Sequence, residues 1–191
     1  TVSQDIEGNL LSGRLFAYGA EFQLNFNPSK KYSAMISYTY AKTDQKVEGI
    51  NKGNSYVALN DRPHSVSFSQ YFDLSKKWKI ATNYLFHSGR ALTLPTGQFQ
   101  VGNTAFPLFP EERNAERLPY FSRLDLAITR KLGIKKKRDR YELILNMTNI
   151  LGRYNPSIVY LDPNTVGTSS LELKSTDYAP TTIVLTFNFK F

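Results

Sequence analysis

The stretch from Thr181 to Phe191 most narrows what this chain can fold into. It reads Thr-Thr-Ile-Val-Leu-Thr-Phe-Asn-Phe-Lys-Phe. Side chains on a strand alternate between faces with a period of two. Ile183, Leu185, Phe187, Phe189 and Phe191 therefore share one face, and Thr182, Val184, Thr186, Asn188 and Lys190 share the other. The first face is wholly apolar and ends in aromatic rings; the second is mostly polar. In a soluble protein such a face needs a packed partner layer. In a membrane barrel, lipid covers it. One alternating run cannot separate the two, so the deciding signal is how often the pattern returns upstream.

It returns along most of the chain. After an irregular lead-in over 1–13, alternation predicts strands over 16–26, 32–42, 64–72, 78–88, 120–131 and 140–148, ahead of the terminal strand 181–191. In the first, Phe16, Tyr18, Ala20, Phe22, Leu24 and Phe26 oppose Ala17, Gly19, Glu21, Gln23 and Asn25. In the fourth, Trp78, Ile80, Thr82, Tyr84 and Phe86 oppose Lys79, Ala81, Asn83 and His87. Ile144 breaks the pattern in the sixth. Tight turns at Asn27–Lys30, Asp73–Lys77 and Gly133–Asp139 alternate with long polar segments at Thr43–Pro63, Gly89–Pro119 and Asn149–Pro180. All the long segments thus fall at one end of a meander and all the tight turns at the other. That asymmetry, with strands of the ~9–11 residues needed to cross hydrocarbon at a tilt, characterises outer-membrane barrels.

The expected fold is all-β: an antiparallel up-and-down transmembrane β-barrel in the bacterial outer membrane. Short turns face the periplasm, long loops face outward and apolar positions face lipid. Aromatic rings then gather at both interfaces: Phe26, Tyr32, Phe72, Trp78, Phe189 and Phe191 at one, and Phe16, Tyr18, Tyr38, Tyr40, Phe86 and Tyr120 at the other. About seven strands leave two open edges, and bilayer-embedded edges are costly. The chain therefore reads as the carboxyl-terminal part of a larger barrel, and Thr1, which is not an initiator, as the start of a processed or cut product.

Composition excludes several classes. With no cysteine there is no disulfide framework and no cysteine-based metal or redox site. No apolar run approaches the ~20 residues of a membrane helix. The formal charge of +8 invites nucleic acid or anionic lipid as a partner. The cations pool at the tight turns, however, at Lys30-Lys31, Lys76-Lys77 and Lys131 to Arg140, without interleaved aromatics for base stacking. A solvated rim beside anionic headgroups accounts for them, and no nucleic acid is expected.

Particular segments then resemble a family, the TonB-dependent outer-membrane receptors, especially their Bacteroidetes-type branch. The carriers are Ala17-Tyr18-Gly19-Ala20-Glu21, Ser37-Tyr38-Thr39-Tyr40, Asn60-Asp61-Arg62-Pro63-His64, Ser88-Gly89-Arg90 through Thr93-Leu94-Pro95-Thr96-Gly97, Arg117-Leu118-Pro119-Tyr120-Phe121-Ser122-Arg123-Leu124-Asp125-Leu126, and Asn146 through Asn155-Pro156, in that order over residues 14–191. The resemblance implies a whole protein of about 22 strands with a plugged lumen. This chain would supply the last strands, and the N-terminal barrel, plug and energy-coupling box would lie upstream. It implies uptake of a scarce ligand, such as a metal chelate, glycan or peptide, driven through a TonB-type inner-membrane protein. Barrel-assembly machinery gripping Phe187, Phe189 and Phe191, and a surface lipoprotein, are further implied partners. A non-transporting barrel and a soluble carbohydrate-binding sandwich are the alternatives.

Candidate residues follow from the faces. Glu21, Gln23, Asn83, Arg123, Asp125, Glu142 and Asn146 are expected to face the lumen. Arg123 and Asp125, two apart, form either a self-satisfied wall pair or a contact to plug or ligand. Tyr56, Phe99, Phe106, Phe109 and Tyr160 are exposed-loop aromatics expected to anchor ligand or to pack on one another. His64 and His87 have no third ligand at metal spacing. No catalytic set, metal or cofactor is expected.

Overall fold

The structure, a computed structural model, describes residues 11–133, 141–162, 172–177 and 180–189. The strands are β1 (Gly13–Ser29), β2 (Tyr32–Val47), β3 (Tyr56–Val57), β4 (His64–Asp73), β5 (Trp78–His87), β6 (Ala91–Leu92), β7 (Gly97–Val101), β8 (Thr104–Leu108), β9 (Glu116–Arg117), β10 (Phe121–Leu132), β11 (Tyr141–Thr148), β12 (Pro156–Leu161), β13 (Leu173–Asp177) and β14 (Thr182–Phe189). All pairings are antiparallel. The main sheet runs β1-β2-β4-β5-β10-β11-β14, a plain meander, with β3 added beside β2. Each predicted strand corresponds to one of these seven. Most of the lead-in, the basic turn over 134–140, Lys190 and Phe191 lie outside the described residues.

The first two strands are longer than the alternation predicts. β1 begins at Gly13, inside the expected lead-in, and pairs there with Val47. The Asn27-Pro28 signal falls in a register shift between Phe26 and Ser29 rather than in the turn itself. A bulge tolerates a proline because it leaves a ladder position unpaired. Two of the long segments also carry hairpins that the sequence reading left irregular. β7 pairs with β8 around Gly102, whose φ of 63° a glycine adopts without strain, and β12 pairs with β13.

Register keeps every strand in phase. Ile36 is opposite Phe68, Phe68 opposite Tyr84, Tyr84 opposite Leu124, Leu126 opposite Met147 and Met147 opposite Ile183. One face of the whole meander is therefore apolar. Among the described residues nothing packs on it: the buried apolar ones are Tyr56, Ala58, Ala91, Leu92, Ala105 and Leu118, none on the seven long strands. Phe22 remains 58% exposed and Leu185 65%. Rings mark both ends of this face. Phe26, Tyr32 and Phe72 meet edge to face near the short turns, while Tyr18, Tyr40 and His64 adjoin near the long loops.

Polar side chains that interrupt the apolar face find partners within it. Tyr32 Oη donates to Gln70 Oε1 at 3.2 Å, Ser122 Oγ to Tyr84 Oη at 3.2 Å, and Tyr38 Oη bonds His64 Nδ1 at 2.9 Å. The Arg130 guanidinium lies 5.1 Å from the centre of the Trp78 ring.

The opposite face is concave. A hollow of about 540 Å³ draws residues from β1, β2, β4, β5, β10 and β11, among them Asn25, Ser33, Ser69, Asn83, Asp125 and Asn146. The sheet thus curls toward its polar side.

Buried asparagines fasten the strand ends beside the long loops. Asn155 Oδ1 accepts from the Ser122 N–H at 2.9 Å, and its Nδ2 donates to the carbonyls of Ser122 and Arg153, each at 3.1 Å. Asn149, at a φ of 52°, ends β11; its N–H donates to Asp125 Oδ1 at 3.0 Å, and its carbonyl accepts from Thr181 Oγ1 at 2.9 Å. Asparagine tolerates that left-handed backbone better than most residues. Asn155→Ala should lower stability by about 2 kcal/mol, since it strands the Ser122 amide in a buried site. Chemical unfolding of the complete protein measures this.

Candidate functional site

Three of the long-loop motifs meet at one hub. The carboxylate of Asp61 is fully buried and sits 2.5 Å from Arg117 Nη2. It also accepts from the Thr43 N–H at 2.7 Å. Arg117 Nη1 donates to the carbonyls of Asp61 and Gly89, at 3.0 and 3.1 Å. Leu118 N–H donates to the Arg90 carbonyl at 3.0 Å. Here the two chain segments run so close that a Cβ on Gly89 would lie 1.6 Å from the Leu118 carbonyl oxygen. Only glycine fits that approach. Asn114 extends the hub, exchanging bonds with Thr93 and donating to the Val57 carbonyl at 2.7 Å.

Below this hub, on the polar face, lies a second cavity of about 680 Å³. Ser37 and Thr39 of β2, Ser65 and Ser67 of β4, and Leu85 and His87 of β5 form its floor. Phe121 and Arg123 enter from β10, Arg62 and Arg90 from the strand approaches, and Ser157 and Ile158 from β12. The rings of His87 and Phe121, paired in register, stack with centroids 4.6 Å apart. Arg62 Nη1 lies 3.4 Å from His87 Nε2, and His87 Nδ1 lies 3.1 Å from the Ser88 carbonyl. A guanidinium only donates and a carbonyl only accepts, so His87 carries its proton on Nδ1 and is neutral. With both ring nitrogens engaged, the imidazole is not poised to take a proton from Ser65 across the ladder.

Among the described residues the lining contains Arg62, Arg90 and Arg123 and no carboxylate. Arg123 Nη2 is paired with Asp125 at 3.0 Å, which is the wall-pair alternative of the sequence reading. Arg90 Nε and Arg123 Nε are buried without a hydrogen-bond partner.

The residues expected to face the lumen all lie on the polar face. Asn83, Asp125 and Asn146 share the central hollow, where Ser69 Oγ donates to Asn83 Oδ1 at 2.8 Å. Glu21 and Gln23 sit apart on the edge strand β1, opposite Thr39 and Ser37, and Glu142 sits opposite Lys131. The loop aromatics do not form one cluster. Tyr56 is not exposed: it is only 8% accessible, because β3 pairs it with Gln45 and tucks it under the loops. Phe99 and Phe106 stack at 5.5 Å across the β7–β8 hairpin and stay exposed, as do Phe109 and Tyr160. Phe187 and Phe189 lie on the apolar face at the short-turn end and stack at 6.2 Å. Among the described residues no metal-binding group of His, Asp and Glu gathers.

The sequence reading missed Arg62 and Arg90 as site residues. Both lie in motifs that carry the family resemblance, and both directly flank the strand ends His64 and His87. Comparison with protein families, characterised proteins and solved structures finds no match to this chain.

Gly89→Ala should destabilise the loop layer by about 3 kcal/mol. It should also open the segment between Arg90 and Leu118 to limited proteolysis. Gly97→Ala is the control, since its added carbon would meet nothing within 4 Å.

Proposed function

We propose that this chain is the carboxyl-terminal section of an outer-membrane receptor barrel that takes up a scarce ligand. The observation that carries the reading is the apolar face itself. It is continuous across β1-β2-β4-β5-β10-β11-β14, no layer of the described residues covers it, and polar intrusions such as Gln70, Ser122 and His64 are bonded within it. Hydrocarbon solvates such a surface; water does not. Internal satisfaction of polar groups is what a bilayer demands.

The arrangement of the connections gives the direction. The tight turns would face the periplasm, and the loop hub with the arginine-lined cavity would face outward, where a ligand arrives. Closure would require further strands beyond β1 and β14, and gating would require a plug and an energy-coupling partner from the rest of the protein. The ordered resemblance of residues 14–191 to TonB-dependent receptors supports transport over a purely structural barrel.

Two substitutions at neighbouring positions test the lipid-facing assignment. Leu126 sits on the apolar face between Thr82 and Met147, and Ala127 on the polar face between Ala81 and Asn146. Leu126→Arg should cost about 2–4 kcal/mol in a folding titration in lipid. Ala127→Arg should cost far less. Equal costs, or a neutral Leu126→Arg, would sink the proposal. Deleting Phe191 from the complete protein should also reduce the amount assembled in the outer membrane, read by fractionation and surface labelling.

A further inference from the structure

We infer that the cavity between β2, β4, β5 and β10 recognises an organic oxyanion, a carboxylate or phosphate carried on a carbon skeleton. The inference rests on the receptor reading and names the chemistry of its ligand.

Charge comes first. Arg62, Arg90 and Arg123 line the cavity, and among the described residues no Asp or Glu does. Asp125 engages Arg123 from the neighbouring hollow, and His87 accepts a hydrogen bond from Arg62 without offering a negative charge. Among the described residues Arg90 Nε is buried without a hydrogen-bond partner. Cations that line one cavity repel one another, and an unpaired buried guanidinium nitrogen is costly. A bound oxyanion removes both penalties. The planar fork of arginine matches carboxylate and phosphate oxygens two at a time.

Shape and lining select an organic carrier over a bare ion. The cavity, about 680 Å³, is far larger than an inorganic anion needs. Phe121 presents a ring already stacked on His87, and Leu85, Leu118 and Ile158 add apolar wall. Ser65 and Ser67 add hydroxyls that can donate or accept. An acidic sugar or a small polycarboxylate satisfies all of these at once; a neutral sugar leaves the arginines unanswered.

The test uses the complete protein in detergent micelles, with citrate, D-glucuronate and glucose 6-phosphate as probes in isothermal titration and glucose as the neutral control. At least one anion is expected to bind where glucose does not, with affinity falling as salt rises. Arg90→Gln and Arg62→Gln should each weaken that binding by about tenfold or more. Lys52→Gln, which removes an exposed loop cation paired with Glu111, should leave it unchanged. The Arg62 change, at an exposed residue, guards against misfolding of the Arg90 variant. The inference is overturned if folded, outer-membrane-inserted protein binds none of the probes at millimolar concentration. In that case acidic side chains elsewhere in the whole protein hold these arginines. Binding that survives both substitutions also overturns it. A protein that fails to fractionate with the outer membrane overturns the receptor reading instead.

Discussion

Phase coherence across the meander is the constraint on which the rest of the molecule depends. Side chains on a strand repeat every two residues, so a slip of one residue in any ladder would turn that strand's rings to the polar side. From β1 to β14 no such slip occurs at the apolar positions. The one irregularity in the ladders of the main sheet, between Phe26 and Ser29, sits next to a turn, where it changes the course of the chain without reversing the faces. The outcome is a sheet with one largely apolar and one largely polar side, which in the proposed membrane setting would meet different solvents. Stability in the usual sense, a core squeezed between layers, is missing from the sheet; burial is concentrated in the loops.

Among the described residues that burial is as much polar as apolar. Asp61, Asn114, Ser122, Asn149 and Asn155 are among the least accessible residues; the side chains of Asp61, Asn114, Asn149 and Asn155 bond backbone, and the Ser122 backbone is held by Asn155. All but Asn114 come from the stretches that resemble the receptor family. Their common work is to finish strands: Asn155 clamps Ser122 at the start of β10, Asn149 turns the chain after β11, and Asp61 with Arg117 ties the approach to β4 to the approach to β10. The motif residues Asp61, Arg117, Asn149 and Asn155 thus act as joints. Arg62 and Arg90, in the same motifs, line the cavity instead. The proposed ligand chemistry therefore rests on these arginines and not on the exposed rings of the loop tips.

The strands were legible because a period of two between a greasy and a wet side is written directly in the residue order, and tight turns between them carry Asn, Pro, Gly and Lys. The extension of β1 to Gly13 was not. At Gly13, Arg14 and Leu15 neither face is consistently apolar, and only pairing with β2 holds them extended. The β7–β8 hairpin had a readable signal, the Gly102-Asn103 pair between Gln98-Phe99-Gln100-Val101 and Thr104 onward, but the surrounding prolines masked it. Tyr56 was misjudged because its burial depends on Gln45, a partner supplied by a returning strand. The arginine cavity was invisible for a similar reason. Arg123 meets Leu85 and Ser67 only through two successive ladders, and a linear reading cannot see across a sheet.

The direction of curl finally separates two architectures that alternation alone cannot. A sheet that closes toward its apolar side makes a soluble barrel with a greasy interior; one that closes toward its polar side makes a wet interior with a greasy exterior. The hollow that gathers Asn25, Ser69, Asn83 and Asn146 from strands far apart in the meander lies on the polar side. Continuing that curvature beyond β1 and β14 wraps the asparagines and serines inward and the leucines and phenylalanines outward. The open edges argue the same way. All seventeen residues of β1 are exposed, and a long strand edge presenting unpaired amides beside phenylalanine and leucine is an aggregation template in water. More strands on both sides would remove it, and under the proposed receptor reading strands that extend this curve and this phase would close a wall around a polar lumen.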